Sequence, residues 1–196
     1  MVIIITGGLR DSHPKIRASQ AFARSVTVRT WHTVVMVQWT EVNIVDDLTI
    51  RLVASNSGLR ALEFHSFAEP KGERNDHNTW MNLAAEELRA YFAGQLRTFS
   101  VPLDMQGTEF QLSVWNHLVK IPYGETRSYA QVAEAVGRPA AVRAVGAANG
   151  SNPVAIIVPC HRVIGSSGKL TGYGGGLPMK KRLLELEGAW TMALRM

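Results

Sequence analysis

The stretch that decides the fold is Ser128-Tyr-Ala-Gln-Val-Ala-Glu-Ala-Val136, then Gly137-Arg138-Pro139, then Ala140-Ala-Val-Arg-Ala-Val-Gly-Ala-Ala-Asn149. Ser128 has the chemistry of a helix N-cap, so a helix is expected from Ser128 to Val136. Gly137-Arg138-Pro139 supplies turn residues, and the small-residue run from Ala140 to Asn149 makes a second helix. Helix, short glycine-containing turn, helix is the outline of a helix-turn-helix unit.

Working outward, Phe110, Val114 and Leu118 form a helical stripe after Gly107 that ends at Pro122 and Gly124. On the other side, Val154-Ala-Ile-Ile-Val158 reads as an apolar strand leading into Pro159-Cys160-His161-Arg162. A loop follows from Gly172 to Gly176 around Tyr173. A last helix then opens with Pro178 at its first position, runs through Glu187 and stops at Gly188.

Upstream, Leu48–Val53 and Leu59–Phe64 alternate in hydrophobicity around Asn56-Ser57-Gly58, the pattern of a hairpin. Leu83, Leu88, Tyr91 and Phe92 recur at helical spacing between about Trp80 and Gly94, and Phe99 to Asp104 connects the halves. The expected class is α/β in the α+β sense. A small amino-terminal sheet-plus-helix domain, 36–104, precedes a mainly helical, winged-helix-like domain with a helix-turn-helix, 105–196. Residues 1–35 carry five Lys/Arg against one acid and show no clear periodicity. They are either a peripheral extension or lie upstream of a start at Met36.

The net charge of +5 is uneven. Residues 105–196 hold ten Lys/Arg against five Asp/Glu, whereas residues 36–104 hold six against ten. A basic carboxyl-terminal half suits a phosphate backbone, although a merely basic surface explains the charge equally well. No apolar run reaches the roughly 18–20 residues of a spanning helix, so no membrane partner is expected. One cysteine excludes an internal disulfide and a thiolate zinc cluster, and it favours a reducing, cytoplasmic setting. Six scattered histidines give no pair at metal-ligand spacing, so no metal is expected.

A lone cysteine is ordinarily a small buried hydrophobe. Cys160 has a different neighbourhood, at a chain exit from the core and followed by His161 and Arg162. A base or positive charge nearby favours the nucleophilic thiolate. Glu187 is the candidate to orient His161, with a solvated helix-end acid as its plain alternative. Without a second thiol, disulfide exchange within the chain is excluded.

Pro159-Cys160-His161-Arg162-Val163 is also where the chain resembles the O6-alkylguanine-DNA alkyltransferases. The resemblance extends to Ser128-Tyr129, Arg143-Ala-Val-Gly146, Ser151-Asn152-Pro153-Val154, Tyr173, and Leu183-Leu184 with Glu187-Gly188. It is close from Gly107 to Gly188 and general from Met36 to Asp104.

The resemblance implies DNA repair by irreversible, stoichiometric transfer of a methyl or other alkyl group from guanine O6 to Cys160. Thymine O4 is left open as a second source, and no cofactor is needed. It implies His161 as a water-linked base, Glu187 as the acid orienting it, and Asn152 as a brace before the active-site segment. Tyr129 helps protonate the departing guanine. The carbonyls of Cys160 and Val163 accept from the guanine amine, and Tyr173 and the Gly174 N–H close over the base. Many relatives have serine at the Gly174 position.

The partner implied is double-stranded DNA, bound by a monomer through the minor groove with the target base flipped out. Arg143 fills the vacated stack, and Ala130, Arg138, Ala144, Ala147 and Ser166 join Tyr129 in contacting DNA. Two other classes stay open on the residues alone. One is a helix-turn-helix damage sensor with a structural Cys160; the other is a cysteine hydrolase using Cys160 and His161.

Overall fold

The computed structural model describes residues 36–46, 48–64, 69 and 72–190, and the stretch 1–35 lies outside the described residues. Strands β1 (Gln38–Val45), β2 (Leu48–Ala54), β3 (Leu59–Phe64) and β4 (Glu73–Arg74) form one sheet in the order β3-β2-β1-β4. The β2–β3 hairpin is antiparallel, as its alternation predicts, and β1 adds antiparallel to β2. Strand β1 was not anticipated, and β4 joins its free edge in parallel.

Helix α1 (Thr79–Phe92) covers this sheet through Met81, Ala84, Ala85, Leu88 and Tyr91, all buried. Those positions repeat at three- and four-residue spacing, so one face is removed from water. Each large side chain so buried contributes roughly 1.5–3 kcal/mol. Asn78 caps the helix, its side chain accepting from the N–H groups of Trp80 and Met81.

The helical half comprises α2 (Glu109–Leu118), α3 (Tyr129–Ala135), α4 (Val142–Gly150) and α5 (Gly176–Leu186). Ser128 does cap α3: it accepts from the Gln131 N–H while the Gln131 side chain accepts from the Ser128 N–H. Thr108 and Gln111 make the same reciprocal box at α2. Such boxes satisfy two helix-end donors each. Helix α4 starts two residues later than expected, after Ala141. Helix α2 packs beneath the pair, with Trp115 fully inserted and its indole N–H donating to the Ala148 carbonyl at 2.7 Å.

Two expectations need correction. Val154–Val158 is not a strand but a tight turn, closed by Val158 N–H to the Val154 carbonyl at 2.9 Å. Ile156 within it has φ +74°, a left-handed conformation that β-branched residues rarely adopt. The Asn152 side chain imposes the turn: its Nδ2 donates to Val158 O at 2.8 Å and its Oδ1 accepts from Val154 N–H at 3.0 Å. Helix α5 begins at Gly176, so Pro178 stands at its third position; lacking an N–H, it leaves no donor unpaired there.

The sheet positions this turn. Leu62 of β3 donates to the Pro153 carbonyl at 2.8 Å, and Leu59 pairs with the connector at Pro102 and Asp104. The outer edge of β3 is therefore covered by the two segments that lead to the helices and the site. A second small pairing, β5 (Arg127–Ser128) with β6 (Val163–Ile164), ties the start of α3 to the chain just after Cys160.

Candidate active site

Cys160, His161 and Arg162 form a single 3-10 turn directly after the Asn152-braced turn. The compact turn replaces the extended exit expected from the sequence, and all three residues are buried. His161 is completely inaccessible and Cys160 is only 4% exposed.

Glu187 is delivered by the end of α5. It is the C-cap, and Gly188 follows in a left-handed conformation at φ +71°. Gly188 N–H bonds Glu185 O at 3.0 Å and Ala189 N–H bonds Leu184 O at 2.9 Å. These two bonds are the signature of a Schellman termination. The glycine expected to stop the helix thus also turns the Glu187 side chain inward, and the solvated reading of that acid fails.

The Glu187 carboxylate is the hub of the site. Its Oε1 lies 3.0 Å from His161 Nε2, accepts from Arg162 Nη2 at 2.8 Å, and accepts from the Tyr91 hydroxyl at 2.7 Å. Its Oε2 accepts from Arg162 Nε at 2.9 Å. Burial pushes the carboxyl upward, but the hydrogen bonds from His161 and Arg162 overcome it and hold the pKa at about 2. The group is ionised.

Burial drives the His161 pKa down despite the facing carboxylate, so the imidazole is neutral. A neutral ring beside an ionised acid must carry its proton on Nε2, which leaves Nδ1 as a bare acceptor. That Nδ1 is buried without a protein partner.

Burial also pushes the Cys160 thiol up to about 11, against the lowering effects of the Asn152 side chain and the Lys180 charge. The resting thiol is protonated at neutral pH, and a base has to take its proton before it attacks.

Lys180 was not anticipated. Fully buried on α5, it donates to Val163 O at 2.6 Å and Thr171 O at 3.0 Å, and burial lowers its pKa to about 8. It pins the strand after Cys160 to the loop that carries Tyr173. The Val163 carbonyl, expected to face a base, already accepts this hydrogen bond. Tyr91, Arg162 and Asn149 were missed too; Asn149 Nδ2 approaches Cys160 O at 3.4 Å. Arg162 stood inside the quoted signature, whereas Tyr91 and Lys180 carry no local mark beyond helical periodicity.

Beside this centre is an open cleft of about 590 Å³ between the helix-turn-helix and the 171–174 loop. Tyr129, Arg143, Gly146, Thr171, Tyr173 and Gly174 are among its lining residues. Tyr129, the first residue of α3, shares a 2.8 Å hydrogen bond with Thr171 Oγ1. The Tyr173 ring meets the His161 ring edge-on at 6.4 Å, linking the cleft to the buried centre. Ala130, Ala144 and Ala147 are exposed. Arg138 and Ser166 do not line the cleft; Arg138 borders a separate depression beside Glu109 and Phe110. Among the described residues no group of three or more His, Cys, Asp or Glu side chains could hold a metal ion. No helix among them is long and apolar enough to cross a membrane.

Known proteins are similar to this chain in sequence and fold. The model of the 6-O-methylguanine DNA methyltransferase DNA-binding domain matches residues 109–189, and that of the ribonuclease-like domain of the same proteins matches residues 49–105. A methylated-DNA–protein-cysteine methyltransferase of Mycobacterium tuberculosis is 65% identical over 104 residues, 53% of this chain. The matched stretch spans 63% of that relative's length. One from Methanosarcina barkeri is 49% identical over 141 residues, 70% of this chain and 89% of the relative. The crystal structure of the M. tuberculosis O6-methylguanine methyltransferase superposes with a TM-score of 0.71 at 48% identity, covering 78% of this chain and 93% of that one. A structure of the M. tuberculosis protein in complex with DNA gives 0.69 at 49% identity, covering 79% and 93%. With two family models matched over most of residues 49–189 and a relative 49% identical over 89% of its length, this chain belongs to the 6-O-methylguanine DNA methyltransferase family.

Proposed function

We propose that this chain repairs DNA by moving a methyl or other alkyl group from guanine O6 to Cys160, once per molecule and without a cofactor. The observation that carries this reading is the tautomer lock at His161. Its Nε2 proton is held by ionised Glu187, and its free Nδ1 is the base that an otherwise protonated Cys160 needs.

In the reaction, His161 Nδ1 takes the thiol proton through a water and Sγ attacks the alkyl carbon. The S–C bond forms as the C–O6 bond breaks, and the electron pair passes into the guanine. Tyr129 supplies a proton to the leaving base. The thioether resists ordinary thiols, so the acceptor is spent. Asn152 keeps the turn before Cys160 in place, and the Cys160 and Val163 carbonyls, with Tyr173 and Gly174, select and cover the base.

The DNA partner is a duplex carrying O6-alkylguanine, approached from its minor groove by a monomer through the exposed α4 surface. Arg143 occupies the place of the flipped base, flanked by Ala144 and Ala147; Ala130, Arg138 and Ser166 meet the backbone farther out. Cleft size supports this reading, since a flipped base needs a pocket beside the acceptor. Residues 36–104 act as a sheet-plus-helix support and 105–196 as the reacting domain, in a cytoplasmic setting that is nucleoid-associated if the source is bacterial. Deletion of residues 1–35 should leave transfer intact.

Incubation with duplex DNA bearing labelled O6-methylguanine tests the reading. One label per molecule should arrive at Cys160. Label that stays on DNA, or transfer that persists in Cys160→Ala, overturns it.

A further inference from the structure

We propose that Tyr91, on α1 of the sheet half, is a positioning residue for this site, holding Glu187 so that His161 stays neutral with Nδ1 free. The inference rests on the alkyl-transfer reading for its purpose, but its physical content does not depend on it.

Tyr91 is completely buried and lies 96 residues from its partner in sequence. Its ring is fixed by Phe92, Phe99 and Tyr123, with centroids 5.4 to 6.1 Å away. From that cage its hydroxyl reaches Glu187 Oε1 at 2.7 Å, the same oxygen that faces His161 Nε2. The phenol is held far above its ordinary pKa, by burial first and then by the Glu187 charge, so it donates and never competes as an anion.

A donor on a carboxylate oxygen withdraws part of its negative charge and fixes its direction. Both effects act on His161. Less charge facing Nε2 keeps the imidazole from becoming imidazolium, which would have no free acceptor for the thiol proton. A fixed carboxylate keeps the ring from turning over. Among the described residues the other groups facing Glu187 are Arg162, the Gly124 N–H, Tyr123, whose hydroxyl donates to Leu186 O, and the buried Tyr173, whose phenol the Glu187 charge also holds up. Lys180 and Arg162 also oppose charging of His161. None of them replaces the Tyr91 contact on Oε1 from the sheet side.

Tyr91→Phe removes one oxygen and keeps the ring. The expected result is normal cooperative unfolding and DNA binding, with His161 titrating about half a pH unit or more higher, followed by nitrogen NMR. The acid-side fall of the single-turnover transfer rate should move up by the same amount. Installing 3-fluorotyrosine at position 91 alone, a stronger donor, should move both midpoints down. Superimposable His161 titrations in these forms overturn the proposal. If Tyr91→Phe does not fold, the fluorinated protein and the wild-type nitrogen spectrum still decide it. A mixture of His161 tautomers in the wild type counts against it. The NMR readout uses no alkylated DNA, so failure of transfer to Cys160 would sink the functional reading while leaving this test intact.

Discussion

Arg162 grips Glu187 with a two-pronged contact, Nε to Oε2 at 2.9 Å and Nη2 to Oε1 at 2.8 Å, and the Glu187 side chain is fully shielded from water. A guanidinium buried this way depends on its partner's charge. The same pair that orients His161 is therefore also a structural tie between the Cys160 turn and the end of α5.

Glu187→Gln keeps the shape and deletes the charge. It leaves Arg162 uncompensated and is expected to destabilise the fold by about 3–5 kcal/mol. Urea unfolding measures this, and transfer to Cys160 should fall with it. A neutral change in stability would show that the pair does not hold the fold.

The acid side of the stability curve should carry the Glu187 signature. Its folded pKa of about 2 lies below the ordinary value of 4.5, so its contribution is present above the ordinary value and drains away as pH falls toward the folded one. In that window the unfolded chain binds the proton more readily, so stability falls with pH. Denaturation midpoints between pH 5 and 2 should drop steeply in the wild type and more shallowly in Glu187→Gln.

Lys180 gives a slope of the same sign in an alkaline window. Its folded pKa of about 8 lies below the ordinary 10.5, so between these values the unfolded chain holds more protons and stability gains as pH rises. Cys160 works against it in the upper part of this range, because its thiol titrates higher in the folded state. The difference between wild type and Lys180→Met isolates the lysine: its contribution to the slope should vanish in the variant. With the Val163 and Thr171 carbonyls released, the 171–174 loop of Lys180→Met should also show faster amide exchange.

Gly58 closes the β2–β3 hairpin, and a Cβ there would stand 2.5 Å from the Pro102 carbonyl oxygen. Both sides of the clash are backbone, so neither yields easily. Gly58→Ala should cost about 1–3 kcal/mol in stability. Because Gly58 lines neither the cleft nor the Glu187 cluster, the transfer rate per folded molecule should be unchanged.

Arg143→Ala separates base delivery from chemistry. Exposed on α4 at the cleft, Arg143 is expected to matter for duplex repair far more than for reaction with free O6-alkylguanine base. An equal loss on both substrates in single-turnover assays would contradict a role in flipping.

The helix-turn-helix was legible because its signals are local. Ser128 with Gln131, and Gly137 after α3, state where the helix begins and ends. Gly188 likewise marks the end of α5. Val154–Val158 misled for a physical reason: an apolar β-branched run has strand propensity, and the two Asn152 side-chain bonds with the Val158–Val154 backbone bond bend it back. Strand β1 escaped because its half-buried residues blur the alternation. At the site, Cys160 and His161 could be read from their neighbourhood; Glu187 was a candidate beside a solvated alternative, and the resemblance matched it. Tyr91 and Lys180 could not be read, since nothing in a helical stripe distinguishes a packing residue from one whose polar tip crosses the core. Arg138 and Ser166, placed by resemblance alone, fall outside the cleft.

The burial of Cys160 has a last consequence. On the proposed single-use reaction, the sulfur has to stay intact until it is spent. A thiol 4% exposed and titrating near 11 offers oxidants and stray electrophiles almost no thiolate to consume. Sluggishness at rest is thus a form of storage for a sulfur that the proposed reaction uses up.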